Sequence, residues 1–252
     1  MNMTLYHGEP NGPSLTVMAA LAEKGLVADL VSLNLAKAER HGPQCERGFE
    51  VDMSIEGEGP VLVVDGEPMA DSVFIACFLD EIGTGPKLRP DDPYERWEVM
   101  MWCRQIIERL APAAAYLGIH SQPAEDISDA AIAAVRSDDL RSRWQDWCAG
   151  NFDDDKLADS RRKVLDAVDK CEARLDGRDW LMGDFSIADL ETFAWIAGMV
   201  GLLPDAFAGK VRTEAWLERV RARPSVGKAL SLARTDHPET HWAPGPEINR
   251  WG

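Results

Sequence analysis

The sequence lacks long apolar runs, a leader-like N-terminus and an excess of positive charge. No stretch of about 18 apolar residues occurs, so no membrane-spanning helix is expected. The N-terminus has no basic segment followed by an apolar one, which predicts no secretion signal and a cytoplasmic location. Lys and Arg number 27 against 43 Asp and Glu, for a formal net charge of −16. Such a charge repels nucleic-acid phosphates and anionic membranes, so neither is an expected partner.

The cysteines match neither a disulfide framework nor a metal-binding motif. No C-x-x-C is present, and the 5 cysteines are scattered along the chain at Cys45, Cys77, Cys103, Cys148 and Cys171. An odd, scattered set indicates structural thiols in a reducing compartment. The acidic run from Asp153 to Asp155 is typical of the first turn of a helix, so no metal site is predicted there.

The N-terminal third alternates between strand and helix signals. Thr4 to His7 is predicted to be a short strand, and residues 14 to 24 a helix, because apolar side chains recur there every three or four residues. Val27 to Leu33 is predicted to be a second strand, and Lys37 to His41 a short helix. The segment from Gly48 to Gly59 indicates an irregular loop.

The segment PVLVVDGEPMADSVFIACFLDE, residues 60 to 81, is the most informative part of the chain. An apolar strand, the Asp65-Gly66 turn pair and a return strand predict a tight hairpin. Pro68 places the return strand at a sheet edge, because proline cannot donate to the ladder. A helix follows from Ser72, and the free N–H groups and partial positive charge of its start suit a carboxylate ligand.

Beyond a Gly- and Pro-rich linker at residues 83 to 93, strand signals nearly vanish. The first part, residues 1–83, resembles a thioredoxin-like α/β domain, and residues 93–252 are predicted to form an all-α helical-bundle domain. One long helix, bent at Pro112, and a capping box of the S-x-x-D type at Ser186 are expected there. The predicted helices cover residues 94–117, 161–175, 186–201, 213–222 and 225–233.

Three stretches resemble the glutathione transferase family in the same order along the chain. Gly59-Pro60, the hairpin and the Asp-Ser helix start are similar to that family's glutathione site. About 110 residues later, WLMGDFSIADLETFAWIAGM is similar to the buried N-capping box of its helical domain, and TEAWLERVRARPSV to its penultimate helix. The resemblance spans residues 3 to about 234.

Within the family, three stretches resemble the bacterial β-aryl etherases that act on lignin-derived ethers. They are the start TLYHGEPNGPSLTVMAALAEKGL, the long insertion from LGIHSQPAEDI to ADSRRKV, and FAWIAGMVGLLPDAFAGKV. The resemblance implies a transferase in aromatic compound catabolism with glutathione as co-substrate. Its thiolate would displace an aryloxide from the carbon next to a ketone, giving a phenol and a glutathione thioether.

The resemblance also implies roles for particular residues. Ser14 would donate a hydrogen bond to the sulfur, unless it only caps its helix, and Asn11 is the fallback donor. A glutathione thiolate so held is the expected nucleophile, because a thiol near a helix start has a lowered pKa.

The resemblance assigns the remaining glutathione contacts to five residues. Gly59 would pair through its backbone with the cysteinyl part, and Pro60 would be cis to expose those groups. Asp71 would meet the γ-glutamyl ammonium and Ser72 its carboxylate. His41 would meet the glycyl carboxylate, unless it is a surface histidine without a role.

The second substrate requires an aromatic pocket between the domains. Four side chains are candidates for its wall, with core packing as their alternative use: Trp102, Tyr116, Trp144 and Trp147. The resemblance further implies a homodimer, in which the α/β domain of one chain meets the helical domain of the other.

Two departures from the family pattern leave other interpretations open. Gly59 stands where Val or Ile is usual, and EVDMSIEGEG replaces the expected Asn-Pro-x-Gly-like lead-in. Poorer glutathione binding would make the chain a weakly active or non-catalytic subunit of a heterodimer with an active relative. Another glutathione-dependent enzyme, such as a dehalogenase or an isomerase, is the third interpretation.

Overall fold

The computed structural model describes residues 1–42, 45, 59–122, 124, 127–236, 238 and 245–246. Within them, a four-stranded mixed sheet with two flanking helices is followed by a helical bundle. This is the predicted fold class, a thioredoxin-like N-terminal domain followed by an all-α domain. The predicted loop from Gly48 lies outside the described residues except for Gly59, and the domain limits at residues 83 and 93 stay a prediction.

The sheet has the strand order β2-β1-β3-β4. Strand β1 pairs in parallel with β2 and antiparallel with β3, and β3 pairs antiparallel with β4. Leu5 on β1 lies opposite Leu30 and Leu62, and the alternation of buried and half-buried residues along β1 turns one face of the strand into the core. The strands are β1 (Met3–His7), β2 (Asp29–Ser32), β3 (Val61–Val64) and β4 (Glu67–Met69).

The hairpin between β3 and β4 follows the sequence prediction. Asp65 and Gly66 have φ values of 50° and 93°, the left-handed pair that a tight two-residue turn requires. Pro68 lies on β4 at the edge of the sheet, where its missing N–H is not needed.

The elements around the sheet start and end close to their predicted limits. Helix α1 (Gly12–Glu23) begins two residues earlier than predicted, with Pro13 in the first turn, where a backbone N–H would have no helical partner. The short helix predicted at Lys37 to His41 is two single 3₁₀ turns, Leu35–Lys37 and Glu39–His41. Helix α2 (Ser72–Ile82) packs on α1 behind the sheet.

The long helix predicted at residues 94–117 is interrupted before Pro112. Helix α3 (Pro93–Gln105) runs into a π-type turn at Ile106–Leu110, and α4 (Ala111–Ser121) continues from it. Pro112 has no N–H to donate to the carbonyl four residues earlier, so the regular ladder cannot pass through this turn. The chain accommodates one extra residue in this turn, where the sequence had predicted only a bend.

The rest of the helical domain contains the predicted helices and several others. The insertion holds two short helices that the periodicity did not predict, and the three aspartates begin α7 as expected. The remaining helices are α5 (Asp129–Ala134), α6 (Asp138–Ala149), α7 (Asp154–Arg174), α8 (Ile187–Ile196), α9 (Met199–Leu202), α10 (Pro204–Phe207), α11 (Val211–Arg221) and α12 (Pro224–Leu230).

Helix α8 forms the centre of the bundle and is buried on all sides. The predicted capping box at its start is present, and the Ser186 N–H donates to Asp189 Oδ2 at 3.0 Å. Asp189 also accepts from the Leu181 N–H at 3.0 Å and from Trp216 Nε1 at 2.8 Å. The box therefore joins α8 to the preceding loop and to α11.

A buried lysine fastens the linker to the first domain. Lys24, at the end of α1, donates to Asp80 Oδ1 at 3.1 Å and to the carbonyls of Gly85 and Pro86 at 2.9 and 2.8 Å. Arg89 also binds Asp80, with Nε 3.1 Å from Oδ2. These contacts hold α1, α2 and the linker in one arrangement. None of the helices in the described ranges has the length and apolar character needed to cross a bilayer.

Candidate functional site

A cleft, here named the junction cleft, lies between the sheet domain and the helical domain. Four of the predicted glutathione-binding residues line it together, although they are separate in sequence. From the first domain it is lined by Pro13, Gly59, Pro60, Asp71 and Ser72. From the helical domain it is lined by Ile107, Ala111, Pro112, Glu191 and Trp195.

The peptide bond before Pro60 is trans, so the prediction of a cis bond is wrong. Gly59 has a φ of +53°, and this left-handed conformation turns the chain at the entrance to β3. A Cβ at Gly59 would also come within 3.1 Å of the Pro13 side chain. The departure from Val or Ile at this position thus has a physical reason: glycine adopts the left-handed turn without strain, and a larger residue would press against Pro13.

Asp71 begins α2 in an unusual conformation. Its φ of 75° lies in a region that non-glycine residues rarely adopt, and its Oδ1 accepts from the N–H groups of Val73 and Phe74 at 3.0 and 3.2 Å. Asp71 is therefore the N-cap of α2, and its carboxylate is held at the wall of the cleft. Strained backbone of this kind occurs preferentially at ligand sites.

Ser72 is hydrogen-bonded to the helical domain at the cleft. Its hydroxyl lies 3.0 Å from Glu191 Oε2. Glu191 also accepts from Thr16 Oγ1 at 2.7 Å and from Trp195 Nε1 at 2.8 Å. Burial raises the pKa of Glu191, and the nearby charge of Asp71 raises it further. Sequence reasoning missed this residue. The available signal was a single acidic side chain two positions after the capping box, in a helix otherwise apolar on every face.

A second and larger space, the aromatic cavity, adjoins the junction cleft. Its volume is about 530 Å³, and it lies between α4, α6 and the start of α7. Pro112 lines both spaces, so the two lie on either side of this residue. Tyr116, Trp147 and Phe152 contribute aromatic rings to its wall.

Charged side chains border the aromatic cavity as well. Lys156 lies 4.8 Å from the centre of the Tyr116 ring, and burial lowers its pKa, with the nearby Arg143 adding to the effect. Arg143, Asp146 and Asp153 complete this rim. The cavity thus combines an aromatic wall with charges of both signs at its edge.

Only two of the four aromatic residues predicted for the pocket reach it. Tyr116 and Trp147 line the aromatic cavity. Trp144 is fully buried in the small core beneath it, and its ring lies 5.6 Å from that of Trp147. Trp102 is half-buried against the main core, where its Nε1 donates to Thr192 Oγ1 at 2.9 Å. These two tryptophans therefore pack in the core, which is the alternative use that the sequence analysis considered for them.

The comparisons with known proteins agree with this architecture. No protein-family model matches the chain. Protein LigF of Sphingobium sp. strain SYK-6 is 26% identical over 94% of this chain and 96% of its own length. Glutathione S-transferase 2 of Saccharomyces cerevisiae is 27% identical, with 90% of each chain covered. The crystal structure of the β-etherase LigF superposes with a TM-score of 0.82 at 27% identity, covering 92% of this chain and 99% of that one.

The chain is a glutathione transferase-like enzyme. The family resemblance and the fold class predicted from the sequence are thereby confirmed, and the likeness to a β-etherase extends over the insertion as well as the sheet domain.

In this glutathione transferase-like chain, Ser14 lies beneath the junction cleft. It is 1% exposed, and its Oγ accepts from the Gly8 N–H at 3.0 Å, so its own proton remains to be donated. Asn11, and not Ser14, occupies the N-cap position of α1, and its Nδ2 donates to the Pro238 carbonyl at 3.1 Å. The catalytic roles of both residues stay predictions.

His41 ends the second 3₁₀ turn and is half-buried. It is not among the described residues that line the junction cleft, and its role also stays a prediction. Across the described ranges, no group of three or more His, Cys, Asp and Glu side chains is arranged to hold a metal ion.

Proposed function

We propose that this enzyme cleaves lignin-derived β-aryl ethers with glutathione as its co-substrate. The observation that carries the proposal is the pair of spaces that share Pro112 as a lining residue. One is lined by the start of α2, with the Asp71 carboxylate and the Ser72 hydroxyl, and the other by aromatic rings. A peptide thiol in the first and an aryl ether in the second would bring sulfur and carbon together at the shared wall.

The chemistry needs no redox partner. The glutathione thiol loses its proton, and the thiolate attacks the carbon next to the ketone. A carbon–sulfur bond forms as the carbon–oxygen bond breaks, and the electron pair leaves with the aryl oxygen. The aryloxide takes a proton from water and departs as a phenol, and the glutathione thioether remains.

The described residues support these roles in different ways. The backbone of Gly59 and the Asp71-Ser72 helix start would hold the tripeptide, and the Ser14 hydroxyl would stabilise the thiolate. Tyr116, Trp147 and Phe152 would pack against the aryl ring, since offset and edge-on ring contacts are favourable at 4.5–7 Å between ring centroids. A cytoplasmic location is part of the proposal, and all five cysteines are free thiols.

The test is turnover of an α-keto β-aryl ether by the purified chain with glutathione, followed by release of the phenol. Replacing Ser14 with alanine is expected to lower the rate about tenfold, or ~1.4 kcal/mol, because the helix start and loop amides share the charge of the sulfur. The pKa of bound glutathione should rise in the variant, seen as loss of thiolate absorbance at neutral pH.

Ser231→Ala is the matched control, because Ser231 is exposed and donates only to the carbonyl of Lys228. A Ser14→Ala enzyme with full rate and unchanged thiolate absorbance would remove Ser14 from catalysis. If the wild type is inactive alone and gains turnover on mixing with a related chain, the heterodimer interpretation replaces the proposal. Turnover of a halogenated substrate or isomerisation in place of ether cleavage would favour the dehalogenase or isomerase.

We also propose a homodimer that buries an exposed aromatic patch on α2 and α3. Phe74, Tyr94 and Trp97 are 63%, 67% and 53% exposed. Cys77 Sγ lies 3.7 Å from Met100 Sδ, so α2 and α3 touch about one turn along from Phe74 and Trp97. Aromatic side chains on a surface of this kind mark an interface.

Trp97→Glu is expected to weaken the dimer by on the order of 100-fold, because the substitution enters the interface twice and removes an aromatic anchor. Sedimentation at micromolar concentration measures the shift from twice the chain mass to 27.9 kDa. Val211→Glu, at a 68% exposed position on α11, is the control and should leave the mass unchanged. A wild type that sediments as a monomer would refute the dimer.

A further inference from the structure

The rim of the aromatic cavity carries a lysine without a carboxylate partner. Lys156 Nζ lies 4.8 Å from the centre of the Tyr116 ring, and within the described ranges it forms no ion pair. A ring face returns only part of what a cation loses when it leaves water. Burial lowers the pKa of Lys156, the charges of Arg143 and Lys163 lower it further, and Asp153 opposes them. The surroundings of Lys156 therefore favour the approach of an anion.

Lys156 is nevertheless a cation at neutral pH. Its ordinary pKa of 10.5 lies well above neutrality, and only full burial brings a lysine pKa down to that range. Lys156 is half-buried, so its ammonium keeps part of its contact with water. An ammonium in this position attracts an anion more strongly than a fully exposed one does, because less water screens the charge.

The Tyr116 hydroxyl adds a second donor to the same wall. Its oxygen accepts from the Asp153 N–H at 2.8 Å, which leaves its own proton to be donated. Among the residues that the structure describes, that proton has no acceptor. The two donors are close together, because Lys156 lies over the ring that carries the hydroxyl. An ammonium and an O–H together suit the two oxygens of a carboxylate.

The other charged side chains of the rim have partners of their own. Arg143 pairs with Asp139 at 2.6 Å. Asp146 accepts from a neighbouring asparagine amide at 3.4 Å, and Asp153 accepts from the Lys156 N–H at 2.9 Å as the N-cap of α7. Both of these rim acids are exposed, so solvent screens their charge. Lys156 is thus left with a charge to offer to a ligand in the cavity.

We infer that Lys156 and the Tyr116 hydroxyl form an anion subsite in the aromatic cavity, which binds a carboxylate carried by the aryl ring of the substrate. The inference rests on the proposed function and names a narrower substrate class, the aryl ethers whose leaving ring bears a carboxylate. The cavity of about 530 Å³ has room for such a ring, and Trp147 and Phe152 supply apolar contacts to its faces.

Calorimetry with two ring ligands tests the subsite without relying on ether cleavage. The ligands are vanillate, a methoxylated hydroxybenzoate, and its uncharged methyl ester. The wild type is expected to bind the acid more tightly than the ester by about fivefold or more. Lys156→Met should weaken binding of the acid about tenfold and leave the ester within about twofold, since only the acid has a charge to lose. Tyr116→Phe keeps the ring and should weaken binding of the acid about threefold.

Two further variants separate a specific contact from a change in net charge. Lys163→Met alters the charge equally, two turns along α7, where Lys163 pairs with Asp159 at 2.9 Å and does not line the aromatic cavity. It should leave both affinities within about twofold, because an exposed pair of this kind contributes little. Lys156→Arg keeps the cation and should retain the preference for the acid.

Kinetics with two ethers extend the test to the substrate. For an ether whose leaving ring carries a carboxylate, Lys156→Met should raise KM about tenfold and leave kcat within about twofold, because uniform binding is lost. For the matching methyl ester, both constants should stay within about twofold of the wild type. A merely structural role of Lys156 would affect the two ethers alike.

The outcomes distinguish this inference from the proposed function. Equal affinity of the wild type for acid and ester, or equal weakening of both by Lys156→Met, overturns the subsite, and turnover of the neutral ether would still support the proposed function. A preference for the acid in a chain that cleaves no ether keeps the subsite and overturns the proposed function. If Lys156→Met does not fold, Lys156→Gln decides the question by the same comparison.

Discussion

Replacing Asp189 with alanine is expected to lower the free energy of unfolding by about 3–5 kcal/mol. Asp189 is fully buried and accepts from the N–H groups of Leu181 and Ser186 and from the Trp216 indole. Alanine would leave these three donors buried without a partner, and each unsatisfied donor costs about 1–3 kcal/mol before relaxation. The capping box that begins α8 would be lost as well.

Denaturant unfolding of the two proteins measures this effect. Asp184→Ala is the matched control, because Asp184 is exposed in the same loop and should change stability by less than about 0.5 kcal/mol. A loss below about 1 kcal/mol for Asp189→Ala would mean that the loop and α11 readily find other acceptors.

The same residue predicts a pH dependence of stability. Burial raises the pKa of Asp189 from 3.8 to about 6 in the folded protein. Between pH 3.8 and about 6, Asp189 carries a proton in the folded state and has lost it in the unfolded state. The contribution of Asp189 is therefore fully present below about pH 4 and is lost as the pH rises through 6, by ~3 kcal/mol.

The difference in stability between the wild type and Asp189→Asn, followed from pH 4 to 7, isolates this titration from that of other acids. We expect the wild type to lose stability relative to the variant as the pH rises. A relative gain over the same window would show that the hydrogen bonds to the carboxylate outweigh its burial.

Lys24→Met is expected to cost about 3 kcal/mol. The Lys24 ammonium is buried and holds a carboxylate and two carbonyl oxygens from α2 and the linker. Methionine keeps the packing of the stem but leaves these acceptors unpaired, and breaking a buried pair costs about 3–5 kcal/mol. Asp80 keeps Arg89 and the Leu88 N–H as partners, which places the loss at the lower end.

Thermal unfolding with Lys87→Met as the control tests this expectation. The Lys87 and Asp91 side chains are 64% and 75% exposed, and such surface pairs contribute ~0–1 kcal/mol. Equal shifts in the two variants would mean that Lys24 contributes no more than a surface lysine. A loss confined to Lys24→Met would identify it as the residue that fastens the linker to the first domain.

The sequence predicted those features that depend on local chemistry. The Asp65-Gly66 turn, the edge position of Pro68 and the Ser186 capping box each need particular residue types within a few positions. Helix α5 was missed because it is short, and α6 because most of its residues are polar and leave little apolar periodicity. Their signals were the caps, since the Ser128 and Ser137 hydroxyls accept from the N–H groups of Ala131 and Leu140.

The site was predicted only in part, because some of its contacts join distant parts of the chain. Glu191 meets Ser72 and Thr16 across 119 and 175 positions, and no local pattern encodes such a pairing. The trans bond at Pro60 was missed because the resemblance supplied the cis form. The glycine before it, noted as a departure, permits a different turn. Trp102 and Trp144 could be recognised as aromatic but not as inward-facing.

The π-type turn at Ile106–Leu110 has a consequence for how this chain tolerates insertions and deletions. An α-helix advances 100° per residue, so one residue more or less in the turn rotates everything after it by that angle. Loss of a single residue in this turn would rotate Pro112, and with it the wall that Pro112 gives to both spaces, by about 100° around the helix axis. The placement of that wall therefore depends on one extra residue, and relatives that lack it need another way to place it.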